Sequence, residues 1–443
     1  MRGGVNKMKP YYESKRGQLY HGDCLEVMRQ IPESSIDGIL TDPPYGLSFM
    51  GKKWDYDVPS VEIWRECLRV LKPGAHALIF AGSRTQHRMA VNVEDAGFIL
   101  KDCLMYLYGS GFPKSTNISK QIDKKKQIIV GFSEADRDIF FRNDLGGRRR
   151  FDLKNWTWPL VMPSTPQAEL WNGMGTHLKP SYETVLLVMK PNDGTYANNA
   201  LKHGVAGIHI DGCRIEVDPN DINRRPKGSV SFKESSNGMF GAGDRNPAIG
   251  GDTLDVAKGR FPANVILDEE AARLLDEQSG FSVSKNSIRH HSESDNNCMS
   301  GKNYKRTSGG HQDQGGASRF FFCAKASAAE RNAGCEGLQS RPGGSNAKGY
   351  TLDVANGIDR NRPTKNTHPT VKPLKLIEYL LNLLNYPGDP VILDPFGGSG
   401  TFGVASEGLK RRWIMCEKEE KYCEIAAKRI ESAASQTSFE DFL

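Results

Sequence analysis

Strand-like and helix-like apolar runs alternate along the first 110 residues, and this alternation is the strongest constraint on the fold. In chain order the runs are QLYHGD, CLEVMRQI, DGILTD, VEIWRECLRVL, HALIFAG, QHRMAVNVEDAG and ILKDCLMYLYG. Strands and helices that alternate in this way are typical of a mostly parallel sheet covered by helices. The tripeptide Lys72-Pro73-Gly74 predicts a helix end followed by a strand start. The sequence therefore predicts an α/β fold.

The alternation stops at about residue 111 and resumes in the last 80 residues. Residues 111–363 are rich in Gly, Ser, Asn and charge, which favours long loops. Within them SYETVLLVMK, residues 181–190, predicts a strand that returns to the sheet, and FPANVILDEEAARLLDEQ predicts a strand or turn followed by a helix. The last 80 residues, from HPTVKPLKLIEYLLNLL to KYCEIAAKRIESA, predict in order a helix, a strand, a glycine loop, a helix, a strand and a helix. We expect four segments, 1–110, 111–363, 364–432 and a frayed tail, 433–443.

Composition narrows the class of protein. The chain has 443 residues, of which 38% are hydrophobic, and no apolar run approaches the roughly 18 residues of a membrane span. The basic start has no apolar segment behind it, which argues against a secretory signal. Nine cysteines without a CxxC pair or a His/Cys cluster indicate reduced thiols and no metal site. We expect a cytoplasmic protein that does not associate with a membrane.

A glycine-rich loop, DPFGGSGT at 394–401, follows a predicted strand and opens a predicted helix. Such a loop allows a ligand to approach the backbone, and the helix offers free N–H groups. The loop is neither GxxxxGK[ST] nor GxGxxG, which disfavours a phosphate cradle of the P-loop kind. Glu417 ends the following strand, where a carboxylate can accept hydrogen bonds from ribose hydroxyls. A nucleotide-like cofactor site and a plain strand-to-helix turn both remain open on this evidence.

Three motifs occur in a characteristic order: TDPPYG at 41–46, HPTVKP at 368–373 and DPFGGSGT at 394–401. In this order they resemble the β-group of S-adenosylmethionine-dependent DNA amino-methyltransferases. The resemblance covers about residues 18–110 and 364–432. It implies a Rossmann-like methyltransferase with a mostly parallel seven-stranded sheet and a large loop-rich insertion for target recognition. It also implies S-adenosylmethionine as cofactor and double-stranded DNA as partner.

The DPPY motif has a chemical reason that does not depend on the resemblance. The exocyclic amine of adenine or cytosine is a poor nucleophile, because its lone pair is delocalised into the ring. The Asp42 carboxylate and the Pro43 carbonyl can accept its two N–H groups and aim the lone pair at a sulfonium methyl group. Pro43 and Pro44 fix the backbone, since φ is near −65° at both. Tyr45 can stack on the base. A turn-forming Asp and a core Tyr are the alternatives.

The resemblance also assigns the cofactor site. It implies that Asp23 contacts the adenine amino group and that His368 and Lys372 line the methionine end. The DPFGGSGT loop contributes Asp394, Phe396, Gly398, Gly400 and Thr401. For Glu417, which can accept the ribose hydroxyls, the alternative is an ordinary solvated strand end, since EKEEK is a run of charged residues. The alternative for Asp23 is an N-cap of the helix at CLEVM. For HPTVKP the alternative is that its prolines only set up the following helix.

Contacts with DNA are expected from aromatic and basic residues. By the resemblance, Tyr108 and Phe112 pack on a flipped base, although either can equally belong to the core. Two basic clusters are candidates for phosphate contacts, with Trp156 and Trp158 as stacking or wedge residues, and a solvated face is the alternative for each cluster. The clusters are Lys124, Lys125, Lys126, Arg148, Arg149 and Arg150.

These observations predict methyl transfer to N6 of adenine in duplex DNA, by flipping of the target base. Asp rather than Ser before Pro-Pro favours adenine, and N4 of cytosine is the alternative. Methylation of a protein glutamine is disfavoured, because related enzymes of that kind carry NPPY. A DNA-binding protein without catalysis is disfavoured by the intact motifs. Homodimerisation and a cognate restriction nuclease remain open.

Overall fold

The structure is a computed structural model. It describes residues 8–47, 55–109, 111, 115–123, 128–134, 157–216, 259–283, 314–324, 330, 332–335, 338, 366–368 and 371–440. The predicted contacts at Phe112, Trp156 and both basic clusters, Lys124, Lys125, Lys126, Arg148, Arg149 and Arg150, lie outside the described residues.

Strands and helices alternate through the first half of the chain. Their bounds are β1 (Tyr12–Glu13), β2 (Gly17–His21), α1 (Cys24–Met28), β3 (Ile36–Thr41), α2 (Val61–Val70), β4 (Leu71–Gly82), α3 (Gln86–Asp95), β5 (Ile99–Leu107), α4 (Ile118–Ile122), β6 (Ile128–Glu134), β7 (Thr157–Met162), α5 (Pro166–Leu170), β8 (Tyr182–Met189) and α6 (Tyr196–His203).

The second half contributes shorter strands and the longest described helix. Its elements are β9 (Val265–Asp268), α7 (Glu269–Ser279), β10 (Ser282–Val283), β11 (Gln314–Gly315), β12 (Phe322–Ala324), α8 (Leu374–Leu383), β13 (Val391–Asp394), α9 (Thr401–Gly408), β14 (Arg412–Glu417) and α10 (Glu420–Glu440).

Ten described strands form one sheet in the order β1-β2-β14-β13-β3-β4-β8-β5-β9-β12. Strands β1 and β8 run antiparallel to their neighbours, and the other pairs are parallel. The seven neighbours from β2 to β5 match the predicted mostly parallel seven-stranded sheet. Strands β1, β9 and β12 extend this sheet at its two edges.

The strand predicted at 181–190 is confirmed, because β8 pairs with both β4 and β5. Strands β9 and β12 also come from the segment predicted as an insertion, and β9 is followed by α7 as the sequence predicted. Segment 111–363 therefore supplies three strands of the main sheet.

The core lies on both faces of the sheet. Every residue of β3 is buried, and so are most of β4, as expected for central parallel strands covered on both faces. Trp64 and Trp413 are among the largest side chains that are fully buried. Burying a large apolar side chain stabilises the fold by about 1.5–3 kcal/mol. Helices α8, α9 and α10 pack side by side, and so do α1, α2 and α3.

Two predicted boundaries differ from the structure. Strand β4 begins at Leu71, before Lys72-Pro73-Gly74, and the β3–β4 register shifts there, so the tripeptide forms a bulge in which Gly74 has φ +75°. The predicted frayed tail, 433–443, is helical up to Glu440. The reason is that no Gly or Pro ends α10 before that residue. Within the described residues no helix is both long and apolar enough to span a membrane.

Candidate active site

The candidate site lies where β3 and β13 end, at the centre of the sheet. From β3 the chain crosses to β4 on one side, and from β13 it crosses to β14 on the other. Ligands of open α/β sheets bind at such a topological switch point. The Thr41 hydroxyl donates to Asp394 Oδ1 at 2.6 Å, and both groups are buried. This bond joins the ends of the two strands that carry the DPPY and glycine-loop motifs.

The DPPY turn leaves β3 in a fixed conformation. The rings of Pro43 and Pro44 restrict the backbone angle φ at both positions. Asp55, which is 2% exposed, accepts hydrogen bonds from the backbone N–H groups of Tyr45 and Gly46 at 2.8 and 2.9 Å. A buried carboxylate that accepts two N–H groups is a strong local anchor. Asp55 was not predicted, because no motif marks it in the sequence.

The Tyr45 ring packs against the end of β4. A Cβ atom at Gly82 would lie 3.0 Å from Tyr45 Cδ2, so the glycine leaves room for this ring. The Tyr45 hydroxyl donates to Asp42 Oδ1 at 2.7 Å. Tyr45 thus orients the carboxylate that was predicted to act on the target amine.

Lys372 joins the DPPY motif to a residue that sequence reasoning missed. Its Nζ lies 3.1 Å from Asp42 Oδ2, 3.0 Å from Tyr45 Oη and 2.9 Å from Glu183 Oε2. The Glu183 carboxylate is also 3.5 Å from Tyr45 Oη. Lys372 was predicted to line the cofactor, and in this structure it contacts Asp42 and Tyr45 of the DPPY motif. The signal for Glu183 was a charged residue directly before the buried run of β8, whose antiparallel direction places it at this edge.

The protonation states of this cluster follow from burial and charge. Burial raises the pKa of Asp42, and the balance of Lys372, Glu183 and Tyr45 leaves it raised. Burial lowers the pKa of Lys372, but the carboxylates of Asp42 and Glu183 outweigh it and raise that pKa above its ordinary value. Burial and both carboxylates raise the pKa of Tyr45 well above its ordinary value. Near neutral pH the cluster contains an ammonium group and a neutral phenol.

The glycine loop has the backbone that its sequence predicts. Gly398 and Gly400 have φ values of +52° and +79°, in the left-handed region that favours glycine. Gly398 faces the His368 ring, since a Cβ there would lie 3.1 Å from His368 Nε2. The Glu417 carboxylate accepts the N–H groups of Gly398 and Glu419 at 2.8 and 2.7 Å. Gly398, His368 and Glu417 are therefore brought together.

Phe396 and Thr401 flank this loop. The Phe396 ring lies 6.4 Å from that of Trp64, and its N–H donates to Asp394 Oδ1 at 3.0 Å. Thr401 opens α9, and its hydroxyl accepts a hydrogen bond at 3.1 Å from the buried Arg429, which also donates to the Ser399 carbonyl at 2.7 Å. Thr401 thus has a structural role in closing the loop.

Asp23 caps α1, as the alternative interpretation predicted. Its side chain accepts the N–H of Leu25 at 3.0 Å and forms a 3.1 Å ion pair with Lys418. Because His21 pairs with Glu417 across β2 and β14, Asp23 also lies at the edge of the sheet that carries the loop. The cap does not exclude a ligand contact.

Of the predicted DNA contacts, Tyr108 is described together with its surroundings. It follows β5 and is partly buried, and its ring lies 6.0 Å from that of Tyr106. Burial raises the pKa of Tyr108, and the Glu183 carboxylate raises it further. Tyr108 therefore lies on the side of the site where Glu183 is found. Trp158 lies in β7.

The stability of the ligand-free protein is expected to fall as pH rises from 6 to 8. Burial raises the pKa of both Asp394 and Glu417 to about 7. A carboxyl group whose pKa is raised on folding stabilises the fold below its unfolded pKa, and this contribution is lost as pH rises through the folded value. Each group contributes a decrease of about 1.4 kcal/mol across this range, so we expect the free energy of unfolding to fall by about 2–3 kcal/mol. Urea titrations at pH 6, 7 and 8 measure it. The decrease should be smaller in Asp394→Asn than in the wild-type protein. A stability that increases from pH 6 to pH 8 would contradict the raised pKa values of Asp394 and Glu417.

Comparison with known proteins identifies relatives of this chain. A family model described as DNA methylase matches residues 36–206 and 257–428, which is most of the chain. The type II methyltransferase M.BamHI of Bacillus amyloliquefaciens is 36% identical over 87 residues, 17% of this chain and 20% of the relative. M2.DpnII of Streptococcus pneumoniae, also a type II methyltransferase, is 48% identical over 65 residues, 15% of this chain and 24% of the relative. The matches thus span less than a quarter of these curated relatives.

Solved structures resemble the chain at low identity. PvuII DNA methyltransferase (cytosine-N4-specific) aligns with 97% of this chain and 95% of its own, at 15% identity and a TM-score of 0.43. M1.HpyAVI aligns with 94% of this chain and 98% of its own, at 13% identity and a TM-score of 0.37. The sheet described above has the strand order and directions of a Rossmann-like methyltransferase fold. On the match of the family model, the chain belongs to the N6/N4 DNA methylase family.

Proposed function

We propose that this protein transfers the methyl group of S-adenosylmethionine to N6 of adenine in duplex DNA. The observation that carries the proposal is the position of Asp42. Its carboxylate is fixed by Tyr45 and Lys372 where β3 ends, beside the glycine loop that follows β13. The chain's membership of the N6/N4 DNA methylase family supports methyl transfer to an amino group of a DNA base.

The residues around the glycine loop fit S-adenosylmethionine. Asp23, Asp394 and Glu417 place three carboxyl groups at the ends of neighbouring strands, which suits a cationic ligand that carries ribose hydroxyls. When bound, S-adenosylmethionine supplies an electrophilic methyl group on a positively charged sulfur.

We propose a role in cofactor binding for each residue in and around the glycine loop. Glu417 would accept the ribose hydroxyls and Asp23 the adenine amino group. Phe396 would contact the adenine ring, and His368, which faces Gly398, would line the methionine end. Asp394, Gly400 and Thr401 shape the loop.

The DPPY residues act on the target amine. Asp42 and the Pro43 carbonyl accept its two N–H groups, which localises the lone pair on nitrogen and directs it at the methyl group. The hydroxyl of Tyr45, 2.7 Å from Asp42 Oδ1, keeps the carboxylate in one orientation. The rigid Pro43-Pro44 backbone holds the carbonyl relative to it. No covalent intermediate with the protein is required.

DNA binding has to offset the extrusion of the target base, which costs about a few kcal/mol. We propose that Tyr45 and Tyr108 pack on the flipped base, and that target recognition lies in segment 111–363. The basic clusters of that segment, Lys124–Lys126 and Arg148–Arg150, would neutralise phosphates and make the affinity depend on salt.

The base is tested by analysis of methylated DNA. DNA from cells that express the protein is digested to nucleosides and quantified by mass spectrometry, with the Asp42→Ala variant as control. We expect N6-methyladenine, because Asp rather than Ser precedes Pro43. If N4-methylcytosine alone accumulates, the adenine assignment is wrong and the cytosine alternative holds. A parallel reaction uses S-adenosylmethionine with a labelled methyl group. If the label appears in protein and not in DNA, the whole proposal is overturned. Modification-sensitive sequencing of the same DNA gives the recognition sequence.

A further inference from the structure

Both carboxylate oxygens of Asp42 already have partners in this structure. Oδ1 accepts the Tyr45 hydroxyl at 2.7 Å, and Oδ2 lies 3.1 Å from Lys372 Nζ. An ammonium group paired with Asp42 alone would cancel its charge and weaken it as an acceptor for an amine. The proposed chemistry needs a strong acceptor at this position, so the position of the lysine charge matters.

Glu183 supplies a second anion for the same ammonium group. Its Oε2 lies 2.9 Å from Lys372 Nζ, slightly closer than Asp42 Oδ2. The side chains are 11% exposed for Lys372 and 25% exposed for Asp42 and Glu183. Charges that are mostly withdrawn from water interact more strongly than charges on the surface. With both carboxyl groups ionised, the cluster of two carboxylates and one ammonium group has a net charge of −1.

The position of Glu183 is set by the sheet. In β8 it is paired with Gly82 of β4 on one side and with Tyr106 of β5 on the other. A strand paired on both sides holds its side chains precisely. Lys372 lies outside the helices and strands, directly before Pro373, the N-cap of α8, so its backbone is held at the start of that helix. Neither partner has to move for the ammonium group to be shared.

We propose that Glu183 is a positioning residue that shares the Lys372 ammonium group with Asp42 and thereby keeps one uncompensated negative charge beside the target amine. This inference rests on the proposed function. Positive charge develops on the amine nitrogen during methyl transfer, and a preorganised negative charge stabilises it more than it stabilises the neutral ground state. Glu183 acts through Lys372 and Asp42 and does not itself contact the amine.

The test is a cycle of charge-changing variants. Glu183→Gln leaves the neutral pair of Asp42 and Lys372, and we expect kcat to fall by roughly 10- to 100-fold with the Kd of S-adenosylmethionine unchanged within about twofold. Lys372→Gln leaves two carboxylates side by side, which favours protonation of one of them, so kcat should also fall. The double variant restores the net charge of −1. We expect its kcat to exceed that of either single variant by at least about fivefold.

Controls separate the charge effect from damage to the fold. Glu183→Asp keeps the charge and should retain more activity than Glu183→Gln. Glu378→Gln removes the carboxylate of a different ion pair, with Lys375 on α8, and should leave kcat unchanged. Circular dichroism and thermal unfolding establish that each variant is folded.

The outcomes distinguish this inference from the proposed function. If the wild-type protein methylates DNA but the kcat of the double variant does not exceed that of the more active single variant, the losses are structural and the inference is overturned. The inference is also overturned if Lys372→Gln raises the Kd of S-adenosylmethionine and leaves kcat unchanged, because Lys372 would then bind the cofactor. If the wild-type protein does not methylate DNA at all, the proposed function itself fails.

Discussion

Replacing Asp42 by alanine is expected to lower kcat for methyl transfer to DNA by at least about 10³-fold. In the proposed mechanism the variant loses the carboxylate that accepts one hydrogen of the target amine, and the Pro43 carbonyl alone does not localise the lone pair. Single-turnover transfer of a radiolabelled methyl group to DNA measures the chemical step directly. The Kd of S-adenosylmethionine, measured by calorimetry, should change by less than about threefold, because the proposed role of Asp42 is on the DNA base and not on the cofactor.

The fold should tolerate this substitution. Without Asp42, the Lys372 ammonium group still has Glu183 at 2.9 Å, and the bond between Thr41 and Asp394 is untouched. Burial also raises the pKa of Asp42, so the ionised carboxylate is not a source of net stability. We expect the free energy of unfolding to change by no more than about 1 kcal/mol.

Asp389→Ala provides a matched control. This exposed aspartate precedes β13, at the opposite end of the strand from Asp394, and its ion pair with Arg412 is long at 3.7 Å. Activity and stability should both remain close to those of the wild-type protein. Turnover of Asp42→Ala within tenfold of the wild-type value would rule out the proposed role of the carboxylate.

The parts of the fold that the sequence predicted are those encoded by local patterns. Strands β2, β3, β4, β5, β8, β13 and β14 have apolar runs long enough to recognise. Strand β12 has three residues and β1 has two, so neither gives a periodic signal. Lys72-Pro73-Gly74 was placed at a helix end, because the register shift that accommodates it depends on pairing with β3. Tertiary pairing decided each of these cases.

The same division holds for the candidate site. The DPPY and glycine-loop residues were predicted because short motifs encode them. Asp55 and Glu183 were not, because they enter the site through a loop and through the direction of β8, and neither is visible in a local window. Lys372 was found by its motif, but its position beside Asp42 depends on how the HPTVKP segment packs across the sheet. Partners of a charge are a property of the folded chain, and local sequence does not specify them.

Gly400→Ala is expected to destabilise the protein by about 2–4 kcal/mol and to weaken binding of S-adenosylmethionine at least tenfold. Gly400 has φ +79°, a conformation that an L-residue with a side chain adopts at a cost. A Cβ atom at this position would also lie 2.7 Å from Ala426 Cβ and 2.8 Å from Ala426 Cα. Both atoms belong to the rigid α10, so the loop has to move instead.

Movement of this loop would disturb two contacts of the proposed cofactor site. Gly400 is the N-cap of α9, and the loop carries Gly398, whose N–H donates to Glu417 at 2.8 Å. If the loop shifts, Glu417 loses a partner that fixes its orientation, and Gly398 no longer faces His368. The effect on binding should therefore exceed the effect on the chemical step, so that kcat at saturating cofactor falls less than the affinity.

Gly408→Ala is the matched control, because it makes the same substitution at the other end of the same helix. Gly408 is exposed, does not have a positive φ, and has no atom within 4 Å of the position of a Cβ. Since alanine is the better helix former by about 1 kcal/mol, this variant should be as stable as the wild-type protein or more so. Urea titration and calorimetry with S-adenosylmethionine compare the two variants under one set of conditions. Equal affinity of both variants for S-adenosylmethionine would show that the cofactor does not bind against this loop.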